Sequence, residues 1–219
     1  MYERSLWYKI DRDTSTGSFP ELQEAVSKSD THEPGKGIVL NLYVMRHGRT
    51  NYNELGLCND DPNADVYLDE IGKQQAQAAA EQLRGVTLDR IIVSPLPRTH
   101  QTAEIVNRYH DAPVEVHPDI ADIRSGFEGK SVREYFTAIA HDPLNARVNG
   151  GESLLDHKQR VLGFIDWLLH QQQENILVVA HEETLRVFVA YFEGNVPDER
   201  LRDVNIGNCE YRLYKTRAR

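Results

Sequence analysis

LNLYVMRHGRTNYN, residues 40–53, combines a strand and a chemistry in fourteen positions. Its first six residues are apolar apart from Asn41, with the aromatic and β-branched character of a strand buried on most of its surface. The apolar run stops at Arg46-His47-Gly48-Arg49-Thr50, so a guanidinium and an imidazole arrive together at the strand's carboxyl end. Open α/β sheets present reacting groups to a crevice in this way. Gly48 is expected to let the backbone turn tightly beside a ligand, with no Cβ in the way.

Two further apolar runs end alike. Residues 176–180 (ILVVA) lead to His181 and then a helical pattern. Residues 90–94 (RIIVS) lead to Pro95-Leu96-Pro97-Arg98, again with a helix following. Three strand ends thus carry His47 with Arg46, Arg98, and His181. Two imidazoles and two guanidiniums are the parts needed to hold a tetrahedral dianion and attack its phosphorus.

The motifs carrying these residues resemble those of the histidine phosphatase superfamily, which includes the cofactor-dependent phosphoglycerate mutases. Arg46-His47-Gly48-Arg49-Thr50 with Asn53 is similar to the RHG signature, and residues 94–103 (SPLPRTHQTA) to the second motif. Gly150-Gly151-Glu152-Ser153 and Val178-Val179-Ala180-His181 resemble the third and fourth, and the likeness runs from about residue 40 to about 214. The resemblance implies a three-layer α/β/α sandwich around a mostly parallel sheet. It divides the chain into an N-terminal extension, residues 1–37, and a phosphoglycerate mutase-like domain, residues 38–219.

The resemblance also implies roles. His47 is the expected nucleophile, Arg46, Arg98 and His181 hold the transferred phosphoryl group, and Asn53 adds a hydrogen bond. A carboxylic acid should arrive within residues 119–129 (DIADIRSGFEG) to protonate the leaving alcohol. The usual spacing lands on Ala121, which has no proton to give; Asp122 fits if the loop is one residue shorter. Glu128 is the alternative, and a third is that neither serves. Glu182 follows His181 where relatives carry small residues; its carboxylate is expected to repel a second anionic group on the substrate or to raise the pKa of His181. The sequence 181–185, HEETL, lacks the second histidine of a zinc-binding HExxH. No metal and no cofactor is expected.

Composition sets the outer limits. With 219 residues the chain suits one compact domain with a sizeable core. A net charge of −9 without a long basic stripe argues against a nucleic-acid surface, yet leaves room for arginines converging on one phosphate. Cys58 and Cys209 are expected to be reduced thiols. No apolar segment of signal-peptide or membrane-spanning character is evident, so a cytoplasmic protein without a membrane partner is the expectation.

Along the chain, residues 6–10 could form a short strand or a docked apolar patch, and residues 21–26 a short helix. The leader as a whole could serve as a docked extension, a lid or a homodimer contact. Residues 54–67 read as an irregular loop departing from the family pattern, with Asp60-Asp61 a solvated pair rather than a cation site. Helices are expected from Asp69 to Gly85, over 97–109, 131–140, 153–173, and from Glu182 to Gly194; residues 203–214 read as a returning strand pair. Three functions follow: a metal-independent phosphomonoester hydrolase acting through a phosphohistidine on a small phosphorylated metabolite, a cofactor-dependent phosphoglycerate mutase, or a catalytically weak phosphoryl-ligand binding module. Mutases that resemble this chain usually carry a longer insertion between the second and third motifs; here only about fifty residues separate Arg98 from Gly150, so the resemblance implies hydrolysis rather than the mutase reaction.

Overall fold

A computed structural model describes residues 6–8 and 39–218. Expectations for residues 9–38, the helix over 21–26 included, lie outside the described residues. The sheet comprises β1 (Leu6–Tyr8), β2 (Val39–Arg46), β3 (Arg90–Val93), β4 (Val114–Val116), β5 (Asn175–Ala180) and β6 (Tyr211–Arg217). Its order is β1-β6-β2-β5-β3-β4. The run from β2 through β5 and β3 to β4 is parallel, while β6 lies antiparallel to both β2 and β1. The molecule is a three-layer α/β/α sandwich with a mixed, largely parallel sheet, as the resemblance implied.

The strands are apolar on both faces because both faces are covered. Side chains alternate across a strand, so Leu40, Leu42 and Val44 of β2 and Ile176, Val178 and Ala180 of β5 face one layer. That layer is α5 (Leu154–Leu168) and α6 (Glu182–Glu193), with Phe164 and Phe188 at its centre. Met45, Leu177 and Val179 face α2 (Glu70–Leu83) and α3 (Pro97–Asn107). Burying each large side chain of this kind contributes about 1.5–3 kcal/mol. Ala76, Ala79 and Ala80 form the buried stripe of α2, and Asp69 caps that helix by accepting from the Gly72 amide at 2.7 Å.

Gly48 meets a packing requirement besides the one expected of it. A Cβ there would lie 2.6 Å from the carbonyl oxygen of Gly72, and one on Gly72 would lie 2.0 Å from that of Arg49. The two glycines let α2 close against the loop after β2. Arg49 likewise turns to Asp69, at 2.6 Å.

Two further expectations need correction. Residues 54–67 are not wholly irregular: α1 (Asn51–Leu55) takes in the first two of them, closed by a capping box between Thr50 and Asn53 and by Gly56 in the left-handed region. Residues 203–214 do not form a strand pair. Cys209 takes a φ of +56° and its amide bonds the Arg46 carbonyl at 3.0 Å, so the strand begins only at Tyr211 and pairs with β2 on one side and β1 on the other. Helix α4 (Val132–Ile139) is capped by Ser131, and α5 by Ser153.

Candidate active site

The carboxyl ends of β2, β5 and β3 lie side by side, and the residue after each faces the same place. A cavity of about 220 Å³ opens there, lined by Arg46, His47, Asn53, Arg98, Asp122 and Glu182 among others. His181 forms no part of the lining, being fully buried just behind it, but its ring centroid is 5.2 Å from that of His47 at a 60° tilt. Every expected site residue except Glu128 is therefore on or directly behind one cavity.

His47 is held by both ring nitrogens. Nδ1 lies 2.8 Å from the Gly48 carbonyl oxygen, which can only accept, so Nδ1 carries the hydrogen. Nε2 then bears the lone pair, and Arg98 donates to it from Nε at 3.1 Å. Burial first, then the charges of Arg98 and Arg46, push the His47 pKa well below 6.5. The imidazole is a neutral nucleophile with its reactive nitrogen facing the basic end of the cavity.

Arg98 sits in the first turn of α3, buried, and spreads its remaining donors over three partners. Nη1 bonds the Asn59 side-chain oxygen, Nη2 the Asn59 carbonyl at 3.3 Å, and Nη2 also Asp122 Oδ2 at 2.8 Å. Arg46 donates to the Ile206 carbonyl and pairs with Glu182 at 2.9 Å, while its buried Nε has no hydrogen-bond partner among the described residues. His181 Nε2 lies 2.7 Å from Ser94 Oγ. Thr99 donates its hydroxyl hydrogen to the Ser94 or Leu96 carbonyl, so the single Ser94 hydroxyl hydrogen goes either to Thr99 Oγ1 at 3.1 Å or to His181 Nε2. The other ring nitrogen, Nδ1, is also without a hydrogen-bond partner among the described residues and lies 3.6 Å from Asp122 Oδ2.

Asp122 thus reaches the cavity beside Arg98 and His181. Burial raises its pKa, against the lowering charge of Arg98. Glu128 lies elsewhere: its carboxylate accepts from the Asp60 amide at 2.7 Å, the Asp61 amide at 3.0 Å and the Asn59 side chain at 3.0 Å. It shapes the loop that presents Asn59 to Arg98. Asp60 is more than a solvated carboxylate, since it accepts from the Ser125 amide at 2.7 Å and so ties the same loop to the Asp122 segment. Among the described residues, no group of three or more His, Cys, Asp or Glu side chains is placed to hold a metal ion.

Glu182 does not raise the pKa of His181, which burial, Arg98 and His47 depress well below 6.5. Its carboxylate instead binds Arg46 at 2.9 Å and Arg186 at 2.9 Å. Asn53 uses its carbonyl oxygen to accept from the Thr50 amide at 3.1 Å, leaving its NH2 group for a ligand. Glu152 does not reach the cavity. It binds Arg160 at 2.5 Å, and Arg160 donates to the carbonyls of Asp119 at 2.8 Å and Ala121 at 3.1 Å, bracing the loop that carries Asp122. Ser94, Asn59 and Arg160 escaped the sequence reading. Of these, only Ser94 had a visible cue, a hydroxyl directly after an apolar strand.

Residues 42–219 match the family model of the histidine phosphatase superfamily, branch 1. The adenosylcobalamin/alpha-ribazole phosphatase of Escherichia coli K12 is 32% identical over 164 residues, spanning 71% of this chain and 80% of that protein. The uncharacterized phosphatase PhoE of Bacillus subtilis is 27% identical over 180 residues, 80% of this chain and 91% of its own. Among solved structures, the alpha-ribazole phosphatase of Shigella flexneri superposes with a TM-score of 0.71 at 26% identity, covering 82% of this chain and 96% of that one.

Proposed function

The chain belongs to the histidine phosphatase superfamily, and from that membership we propose that it hydrolyses a small phosphate monoester through a phosphohistidine on His47. The observation that carries this reading is the state of His47: Nδ1–H committed to the Gly48 carbonyl at 2.8 Å, Nε2 unprotonated, and a pKa well below 6.5. The unpartnered Nε–H of Arg46 supports it, because a buried donor without an acceptor is costly unless an anion meets it.

The reaction runs in two steps. The Nε2 lone pair of His47 attacks phosphorus, and the guanidinium of Arg98 transfers its hydrogen bond from Nε2 to a phosphoryl oxygen. The bond from phosphorus to the ester oxygen breaks, its electron pair goes to that oxygen, and Asp122 supplies the proton that completes the alcohol. Asp122, now ionised, takes a proton from a water as that water attacks the phosphohistidine. The N–P bond breaks, its electrons return to Nε2, and phosphate leaves with Asp122 protonated again. Arg46, Arg98, His181 and the NH2 of Asn53 hold the equatorial oxygens throughout. Phosphoryl transfer asks mainly for positioning and charge neutralisation, and two arginines supply the charge that a metal ion supplies in other phosphoryl enzymes.

Purified protein should hydrolyse p-nitrophenyl phosphate in the presence of EDTA, and His47→Ala should abolish turnover while leaving the circular dichroism spectrum intact. Activity surviving that substitution would falsify the phosphohistidine route. The mutase alternative predicts exchange dependent on 2,3-bisphosphoglycerate, and the binding-module alternative predicts vanadate binding without turnover of any monoester. The pairing of Asp122 with Arg98 at 2.8 Å, which sets a carboxyl beside His47's partner, supports turnover over binding alone.

A further inference from the structure

Beyond the basic end, the cavity has two other surfaces of contrasting chemistry. Helix α4 contributes Val132, Tyr135 and Phe136, one helical face at spacings of three and four, and Leu57 joins it through a bridge to Ser131. The Tyr135 and Phe136 rings are 5.2 Å apart. Val132 is 37% and Phe136 41% exposed although both line the cavity, so apolar surface stands open to whatever occupies it. The other surface is the first turn of α6, with Glu182, Glu183 and Arg186.

The arginines there are already engaged. Arg186 pairs with Glu182 at 2.9 Å and Glu183 at 3.0 Å; Arg202 pairs with Glu183 at 3.0 Å and donates to the Tyr135 hydroxyl at 2.9 Å. A second carboxylate or phosphate on the substrate would find every guanidinium on this surface already held by Glu182 or Glu183 and would have to break one of those pairs to gain a counter-charge. An uncharged ring would meet α4.

We propose that this site selects phosphate monoesters of alcohols carrying an uncharged aromatic ring, which lies on the Val132–Tyr135–Phe136 face, and selects against esters bearing a second anionic group. The inference rests on the phosphatase reading above. Apolar surface covered by a ring is removed from water on binding and strengthens it, while a second anion loses its hydration without gaining a free counter-charge.

The test compares three esters of alcohols with similar leaving-group basicity: 2-phenylethyl phosphate, glycerol 3-phosphate and 3-phosphoglycerate. For the full chain, kcat/KM should be about tenfold or more higher for the phenylethyl ester than for glycerol 3-phosphate, and lowest for 3-phosphoglycerate. Phe136→Ala should lower the phenylethyl-to-glycerol ratio about tenfold, mainly through KM; Val132→Ser, also at an exposed position, provides a second variant should the first fail to fold. Equal kcat/KM for the three esters, or a ratio unmoved by either variant, overturns the proposed selectivity and leaves the phosphatase reading intact. Turnover of none of the three, with p-nitrophenyl phosphate also untouched, overturns both.

Discussion

The catalytic assignment places opposite demands on two neighbouring side chains. His47 must be neutral to attack, and Asp122 must be neutral to donate. Burial works toward both, lowering the imidazole pKa and raising the carboxyl pKa against the charge of Arg98. The sign for activity follows. Since His47 is unprotonated from well below pH 6.5 upward, the limb of the pH profile set by the enzyme is the loss of rate as pH rises through the elevated Asp122 pKa. Asp122→Asn should flatten that limb and cost about 10²–10³-fold on alkyl phosphates; steady-state rates of both proteins across pH 4–8 check it. An alkaline limb equally steep in the variant would remove Asp122 as the acid.

Among the elements, the short loops position the groups that the strands deliver. Arg160 on α5 holds the Asp119 and Ala121 carbonyls and is itself held by Glu152, whose carboxyl is pushed up by burial but held low by hydrogen bonds from His157 and Arg160. Releasing this brace should misplace the acid more than the nucleophile. Arg160→Gln is therefore expected to depress turnover of alkyl phosphates, whose leaving oxygen needs a proton, at least tenfold more than that of 2,4-dinitrophenyl phosphate, whose phenolate leaves unaided. A variant that merely unfolds would lose both equally, and Arg160→Lys should recover part of the difference.

Such bracing explains what the sequence could and could not reveal. The strand ends were legible because apolar runs buried on two faces stop abruptly at His47, Ser94 and His181. Asn59 was not, because its value lies in where an irregular loop puts one carbonyl and one amide beside Arg98, and no periodicity encodes that. Arg160 was hidden for another reason. It sits on a helix read correctly by its apolar stripe, and its partners are main-chain carbonyls that carry no residue signature. The capping box of α1 was overlooked because Thr50 and Asn53 lay inside a motif already read for chemistry.

For the molecule as a whole, neutral buried histidines link stability to pH. His47 and His181 have folded pKa values below the unfolded value of about 6.5. Their contribution is complete above pH 6.5 and is lost as pH falls, because the unfolded chain binds protons that the native one refuses. Urea midpoints should therefore drop between pH 7.5 and 5.5, approaching about 1.4 kcal/mol per pH unit for each histidine. A His181→Gln variant should show a shallower decline; an unchanged slope would mean that the imidazole is not the proton acceptor involved.

The sheet order carries one more consequence, for how the protein comes into being. Strand β2 is laid down early, yet its two neighbours, β5 and β6, both come from the last part of the described chain. A nascent polypeptide can hold His47 for most of its synthesis with nothing to aim it at. Long-range pairings of this sort make assembly slow, so the pocket is among the last features to form as the chain leaves the ribosome, and any fragment released before β5 carries His47 without the strand that brings His181 beside it.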